Sequence, residues 1–166
     1  VLTTDRFGNA DKAYYFDGIN DFLDLGSSMT IKPTVGSVSI WAKMAAVSNT
    51  GNGYNYNPIF VSKNSSNSHF MDGCSILLRR NDKKVLAITT QAGTSNEKYF
   101  VSADPMPAGL WQHYVITYDD DSLSLYINGV LENRTYKGFA SVFSPTEAVF
   151  CGKSGDVINN RYFNGA

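Results

Sequence analysis

The chain has 166 residues, enough for one domain that buries roughly two-thirds of its unfolded surface. Fourteen basic residues against fifteen acidic ones leave a formal net charge of −1, so composition offers no electrostatic footprint for nucleic acid or an anionic membrane. Hydrophobic residues make up 43% and aromatics 13%, a globular and aromatic-rich balance, and no apolar run approaches the roughly 20 residues of a membrane span.

In chain order, residues 1–11 read as a polar lead-in with Phe7-Gly8-Asn9 as an anchored turn. It does not read as a signal peptide, and Val1 is expected to open a mature or excised fragment. Lys12–Phe16 reads as a first strand ended by Asp17-Gly18, and Asp21–Leu25 as a second. Gly36–Met44 alternates, with Val38, Ile40, Ala42 and Met44 opposite Ser37, Ser39, Trp41 and Lys43. Trp41 thus falls on the nominally polar face. Either a second sheet or a loop covers it, or it is a platform for stacking a sugar.

A Gly- and Asn-rich loop spans residues 45–57 and carries Tyr54 and Tyr56. After a short strand at Pro58–Lys63 comes a second polar loop, Asn64–Gly73, with His69 and Phe70. Gly73–Asn81 and Lys84–Gln91 read as a hairpin, and Glu97–Ala103 as the next strand. The segment DPMPAGL, residues 104–110, is a Pro- and Gly-punctuated connection. Trp111–Leu131 then holds the clearest signal of the chain: two alternating strands followed by Asn128-Gly129, the pair a type I′ hairpin turn demands. A third strand, Val130–Tyr136, completes a meander. Thr146–Gly152 is a late strand, and Ser154–Asn160 a third polar loop. About eleven or twelve short strands with regular turn signals describe an all-β antiparallel sandwich.

Four stretches resemble the laminin G-like branch of the concanavalin A-like jelly rolls: W-x-H-x-x-x-x-Y-D…L-x-L-Y-x-N-G in the meander, DRFGNADKAYYFDGINDFLDLG at 5–26, VSIWAKM at 38–44 and VFCGKS at 149–154. The resemblance implies one jelly-roll β-sandwich domain over residues 1–166. Family members continue after a glycine like Gly165 with a closing strand beside the first one. The resemblance therefore implies that this chain lacks its last strand and leaves an unpaired edge.

Chemistry is sparse. The jelly-roll glucanases that the chain resembles carry E-x-D-x-x-E, whose carboxylates sit about 5 Å apart. Here Glu97, Glu132 and Glu147 are scattered, and no G-x-S-x-G elbow occurs. His113, mid-strand, is expected to be a core histidine bonded to backbone, and His69 has no Cys or His at zinc-ligand spacing. Cys74 and Cys151 lie in different strands and make neither a metal cluster nor a redox motif. Buried free thiols are the simpler reading, though a disulfide stays open.

Asp17, Asn20 and Asp21 place three oxygen-bearing side chains in one turn, a candidate calcium site or an Asx-capped turn. The resemblance implies calcium near this turn together with an aspartate of the final strand. For a ligand, sugar recognition needs flat aromatics beside Asn, Asp and Arg donors and acceptors. The three polar loops supply Tyr54, Tyr56, Asn57, His69, Asp72, Asn160, Arg161 and Tyr162. The expected function is a non-catalytic, lectin-like carbohydrate-binding module of a larger secreted or cell-surface protein. Its partners would be a glycan or glycosylated surface and other domains of the parent, with no nucleic acid and no membrane insertion. An adhesion or spacer domain that contacts proteins is the alternative.

Overall fold

A computed structural model describes residues 1–32, 34–47, 56–62, 73–90, 96–139, 148–154 and 161–166. Its strands in chain order are β1 (Leu2–Thr3), β2 (Ala13–Tyr14), β3 (Phe16–Asp17), β4 (Leu23–Asp24), β5 (Gly36–Ala42), β6 (Met44–Ala46), β7 (Tyr56–Ser62), β8 (Gly73–Arg79), β9 (Lys84–Thr90), β10 (Glu97–Pro105), β11 (Gln112–Tyr118), β12 (Ser122–Ile127), β13 (Val130–Tyr136), β14 (Val149–Cys151) and β15 (Asn164–Gly165). A single 3₁₀ turn, Met29–Ile31, is the helix among the described residues, and none is long and apolar enough to cross a membrane.

One layer is a six-stranded antiparallel sheet in the order β10-β9-β8-β7-β14-β4. The facing layer is built from β13-β12-β11-β5 and β3-β15-β6. These two pieces are one surface, because Lys43 bridges β5 and β6 and exchanges hydrogen bonds with Ala166 (2.6 and 2.9 Å). The core lies between the layers, where Phe60, Ile76, Leu78 and Ala87 meet Tyr114, Ile116, Leu123 and Leu125. A second cluster of Val61, Leu77, Leu86 and Ile88 occupies the other face of the six-stranded sheet. Burial on both faces is why β8 and β9 read as near-continuous apolar runs rather than strict alternation.

The meander is as its sequence predicts. Asn128 (φ 52°) and Gly129 (φ 82°) both take the left-handed conformation of a type I′ turn. The Asn128 side chain locks the turn, accepting from the His113 N–H (2.9 Å) and donating to Gln112 Oε1 (2.6 Å).

The N-terminal reading needs correction. Lys12–Phe16 is not one strand. Ala13–Tyr14 pair with Leu2–Thr3, inside the supposed lead-in, while Phe16–Asp17 pair with Asn164–Gly165. The edge expected to lie open beside the first strand is thus occupied by the chain's own residues 164–165, fixed on their other side by β6. Two paired residues are too few to show as a hydrophobic pattern.

Candidate functional site: a cationic aromatic groove

The arm formed by residues 1–16 folds over one end of the sandwich, and its turn is stiff for a local reason. The Asp5 carboxylate accepts from the N–H groups of Phe7 (2.8 Å) and Asn9 (2.9 Å) and from the Asn9 amide (3.1 Å). Those bonds, the Asn9 side chain foremost, hold the Asp5 carboxyl below the usual carboxylate range. Gly8 supplies the positive φ (88°) that closes the turn.

This turn presents Arg6 and Phe7 to the sheet. The Arg6 guanidinium carbon lies 4.2 Å from the Trp41 ring centroid and 3.9 Å from that of Phe7. Trp41 is also stacked on His113, with centroids 4.7 Å apart and planes 11° from parallel. His113 and Arg6 thus both pack on the Trp41 ring, and Phe7 packs on Arg6. The pair Trp41–His113 follows from register, since these residues are cross-strand partners of β5 and β11. His113 is therefore not a core histidine. It lies on the outer face of its strand, half-buried, with Nε2 2.8 Å from Ser39 Oγ. Trp41, 38% exposed, is covered in part by a loop, the arm's Asp5–Asn9 turn through the Arg6 guanidinium, and by the His113 imidazole.

Beside the stack opens a groove of about 330 Å³ whose walls include Arg6, Phe7, Lys12, Tyr14, Trp41 and Trp111. Phe16, Leu23, Ile40 and Cys151 form its floor. Lys43 Nζ lies 5.1 Å from the Trp111 ring centroid, adding a third cation at the rim. The size is at the lower end of small-ligand sites. Phe7 (71% exposed) and Tyr14 (54%) offer open aromatic surface for stacking. Neither Arg6 nor Lys12 has an ion pair or side-chain hydrogen bond among the described residues.

Of the residues singled out from sequence, Tyr54, His69, Asp72 and Asn160 lie outside the described residues. Tyr56, Asn57, Arg161 and Tyr162 do gather, because Asn57 Nδ2 donates to the Tyr162 carbonyl (2.9 Å) and Ser154 N to the Arg161 carbonyl (3.0 Å). Yet Asn57, Arg161 and Tyr162 are buried, and Tyr56 packs half-buried on the second apolar cluster. Buried polar groups are hydrogen-bonded, and Asn57 spends an amide N–H tying residue 162 to β7. What the sequence reading passed over is the arm: Arg6, Phe7, Lys12 and Tyr14. The available signal was an aromatic next to a cation in an otherwise polar turn.

At the Asp17–Asp21 turn, Asp17 Oδ1 accepts from the N–H groups of Ile19 (2.7 Å), Asn20 (3.0 Å) and Asp21 (3.3 Å), and Asp21 Oδ2 from Asp17 N (3.2 Å). The Ile19 and Asn20 bonds keep the Asp17 carboxyl below its ordinary range. Calcium needs oxygen lone pairs, and these N–H groups already occupy Asp17 Oδ1 and Asp21 Oδ2. As folded, Asp17, Asn20 and Asp21 fit a self-capped Asx turn better than an ion site. No group of three His, Cys, Asp or Glu side chains among the described residues is placed to hold a metal.

With this geometry in hand, a family model of laminin G type, described as the concanavalin A-like lectin/glucanases superfamily, matches residues 17–166. The chain belongs to this superfamily. No curated protein sequence matches it. Among solved structures, the superfamily fold recurs in a CBM40 of a Ruminococcus gnavus IT-sialidase bound to α2,3-sialyllactose. That match has a TM-score of 0.68 at 14% identity, over 92% of this chain and 85% of that one. Domains LG4-5 of the mouse laminin α1 chain match with TM-score 0.60 and 11% identity, over 91% of this chain and 38% of that one. A heptameric pentraxin of Limulus polyphemus matches with TM-score 0.59 and 15% identity, over 91% of this chain and 70% of that one. At these identities the likeness establishes the jelly-roll sandwich and nothing finer.

Proposed function

We propose that this chain is a non-catalytic carbohydrate-binding module and that the groove beneath the N-terminal arm is its saccharide site. The observation that carries this reading is a sugar-sized, solvent-facing groove in which open aromatic rings stand beside unpaired cationic donors. Aromatic faces stack on sugar C–H surfaces, and hydroxyls require paired polar groups. The reading gains support from a fold shared with a sialidase CBM40 solved with a bound saccharide. Catalysis is not part of the proposal, since the groove's carboxylate, Asp5, is committed to its own turn. The module's setting would be a larger secreted or cell-surface protein, with neighbouring domains and a glycosylated surface as partners.

The test is a glycan array followed by titration of any hit. Tyr14→Ala and Trp111→Ala should each weaken binding about tenfold or more while leaving the melting temperature within a few degrees, because a stacked ring contributes on the order of 1–2 kcal/mol. Loss of binding in Tyr54→Ala with no effect of either groove variant would move the site to the polar loops. A second reading, a protein-contacting adhesion or spacer domain, draws on the edge strand β13, where Val130, Leu131 and Tyr136 are exposed. Array silence together with concentration-dependent association reversed by Leu131→Lys would favour it.

A further inference from the structure

The arm does more than add aromatic surface. We propose that it makes the groove selective for saccharides bearing a carboxylate, with the edge of the Arg6 guanidinium as the recognition element. This rests on the saccharide reading of the same groove and names the class of sugar.

The first support is preorganisation. An arginine side chain ordinarily loses considerable rotamer freedom on binding. Here the Arg6 guanidinium carbon lies 3.9 Å from the Phe7 ring centroid and 4.2 Å from that of Trp41, and His113 stacks on Trp41 in turn. Held against these two rings, Arg6 keeps its N–H edges for a ligand, the fork that matches a carboxylate with two parallel hydrogen bonds. No carboxylate of the described residues pairs with it.

The second is charge. Arg6 and Lys12 line the groove and Lys43 stands at its rim, against one side-chain carboxylate in the lining, that of Asp5. Asp5 already accepts three hydrogen bonds within its own turn. A protein of formal net charge −1 thus concentrates positive charge at a groove with open aromatic rings. Neutral sugars gain little from that arrangement, whereas an acidic sugar gains a fork at Arg6 and a point charge at Lys12.

The third is origin. The family model begins at residue 17, so Asp5, Arg6, Phe7, Lys12 and Tyr14 all precede the matched region. The arm thus brings Arg6 and Lys12 to a groove whose Trp41 and Trp111, with Lys43 at the rim, lie within the matched region.

The experiment titrates the whole chain, by intrinsic tryptophan fluorescence and calorimetry, with matched acid and neutral probes. These are oligogalacturonate and its methyl ester, oligoglucuronate and its methyl ester, and sialyllactose and lactose. At least one acid should bind about tenfold or more tighter than its neutral counterpart, and rising salt should erode that margin. Arg6→Gln should remove the margin, leaving the neutral probe's affinity within twofold. Arg6→Lys should restore only part of it, since an ammonium lacks the fork. Both variants lie on exposed residues, and their melts verify folding. Equal affinity for acid and neutral forms, or an Arg6→Gln loss that is the same for both, overturns the carboxylate inference and leaves the saccharide site standing. No binding of any probe, acid or neutral, and no hit on the array overturns the saccharide reading and this inference with it.

Discussion

Gly152 is the position where a single methyl group should do most harm. It follows β14 with φ +83°, donates its N–H to the Ile59 carbonyl (3.1 Å) and accepts from Phe163 N–H (2.9 Å). Its backbone is therefore pinned from both sides. A Cβ built there would stand 2.6 and 2.8 Å from two carbons of the Phe16 ring. Phe16 is buried in the core and packed against it on the side away from the groove, so the ring must shift to admit the methyl group. Gly152→Ala should thus cost about 1 kcal/mol for left-handed backbone and about 1–3 kcal/mol for overpacking. Gly109 is the matched control: its φ is +74°, but nothing lies within 4 Å of the added Cβ. Gly109→Ala should cost only the first of these, about 1 kcal/mol. For a domain of this size each kcal/mol lowers the melting temperature by about 2–4 °C. Calorimetric melts should then place Gly152→Ala about 4–16 °C and Gly109→Ala about 2–4 °C below the parent. Equal shifts in the two variants would refute the argument, since they would mean that the Phe16 ring yields freely.

Three further expectations follow from particular groups. The hydrogen-bonded Arg79–Asp82 pair holds the Asp82 carboxyl down at about 2. A depressed carboxyl stabilises the fold above its unfolded pKa of about 4 and loses that contribution as pH falls toward 2, so Asp82→Asn should flatten that limb of a pH–stability curve. With side chains 30% and 29% exposed, the effect should stay below about 1 kcal/mol, and an unchanged slope in the variant would contradict it. Burial pushes the thiols of Cys74 and Cys151, both unbonded, up to about 12 and about 11. At pH 8 a thiol reagent should modify neither at the rate seen in denaturant, with Cys151, on the groove floor, the first to react; rapid native labelling of Cys74 would show that the core opens. Calcium followed by chelator should move the melting temperature by less than about a degree, because the Asp17 turn is already satisfied. A rise of several degrees would establish a site with higher affinity for the folded state.

The long strands were legible because their patterns are long. Seven alternating residues in β5 and β11, and an Asn-Gly pair between β12 and β13, leave little choice of element. Which face looks inward is another matter. The sets Trp111-His113-Val115 and Tyr114-Ile116-Tyr118 both carry large apolar groups, and only the opposing layer decides that Tyr114 is buried and His113 is not. The same limit explains the site. Asn57 and Arg161 have side chains typical of sugar binders, but they sit at a junction where the backbone of residue 162 needs partners. Arg6 and Phe7 read only as part of a polar lead-in with an anchored turn because Trp41, on which Arg6 packs, is 35 residues from Arg6 in sequence, and no local pattern encodes that contact.

The pairing of β3 with β15 has a temporal side. The hydroxyl of Tyr15 bonds Asn164 across 149 residues of chain, nearly the full span. Pairings of such high sequence separation form late, since loop closure must precede any gain from contact. During synthesis at about 5–20 residues per second, Phe16 and Asp17 wait on the order of ten seconds for their neighbours to emerge. The groove takes its walls from residues 5–16 and from Ala166, so it forms only after these distant segments have met. In refolding, the meander should gain its structure first, and ligand-sensitive fluorescence should appear only when the two ends of the sequence have met.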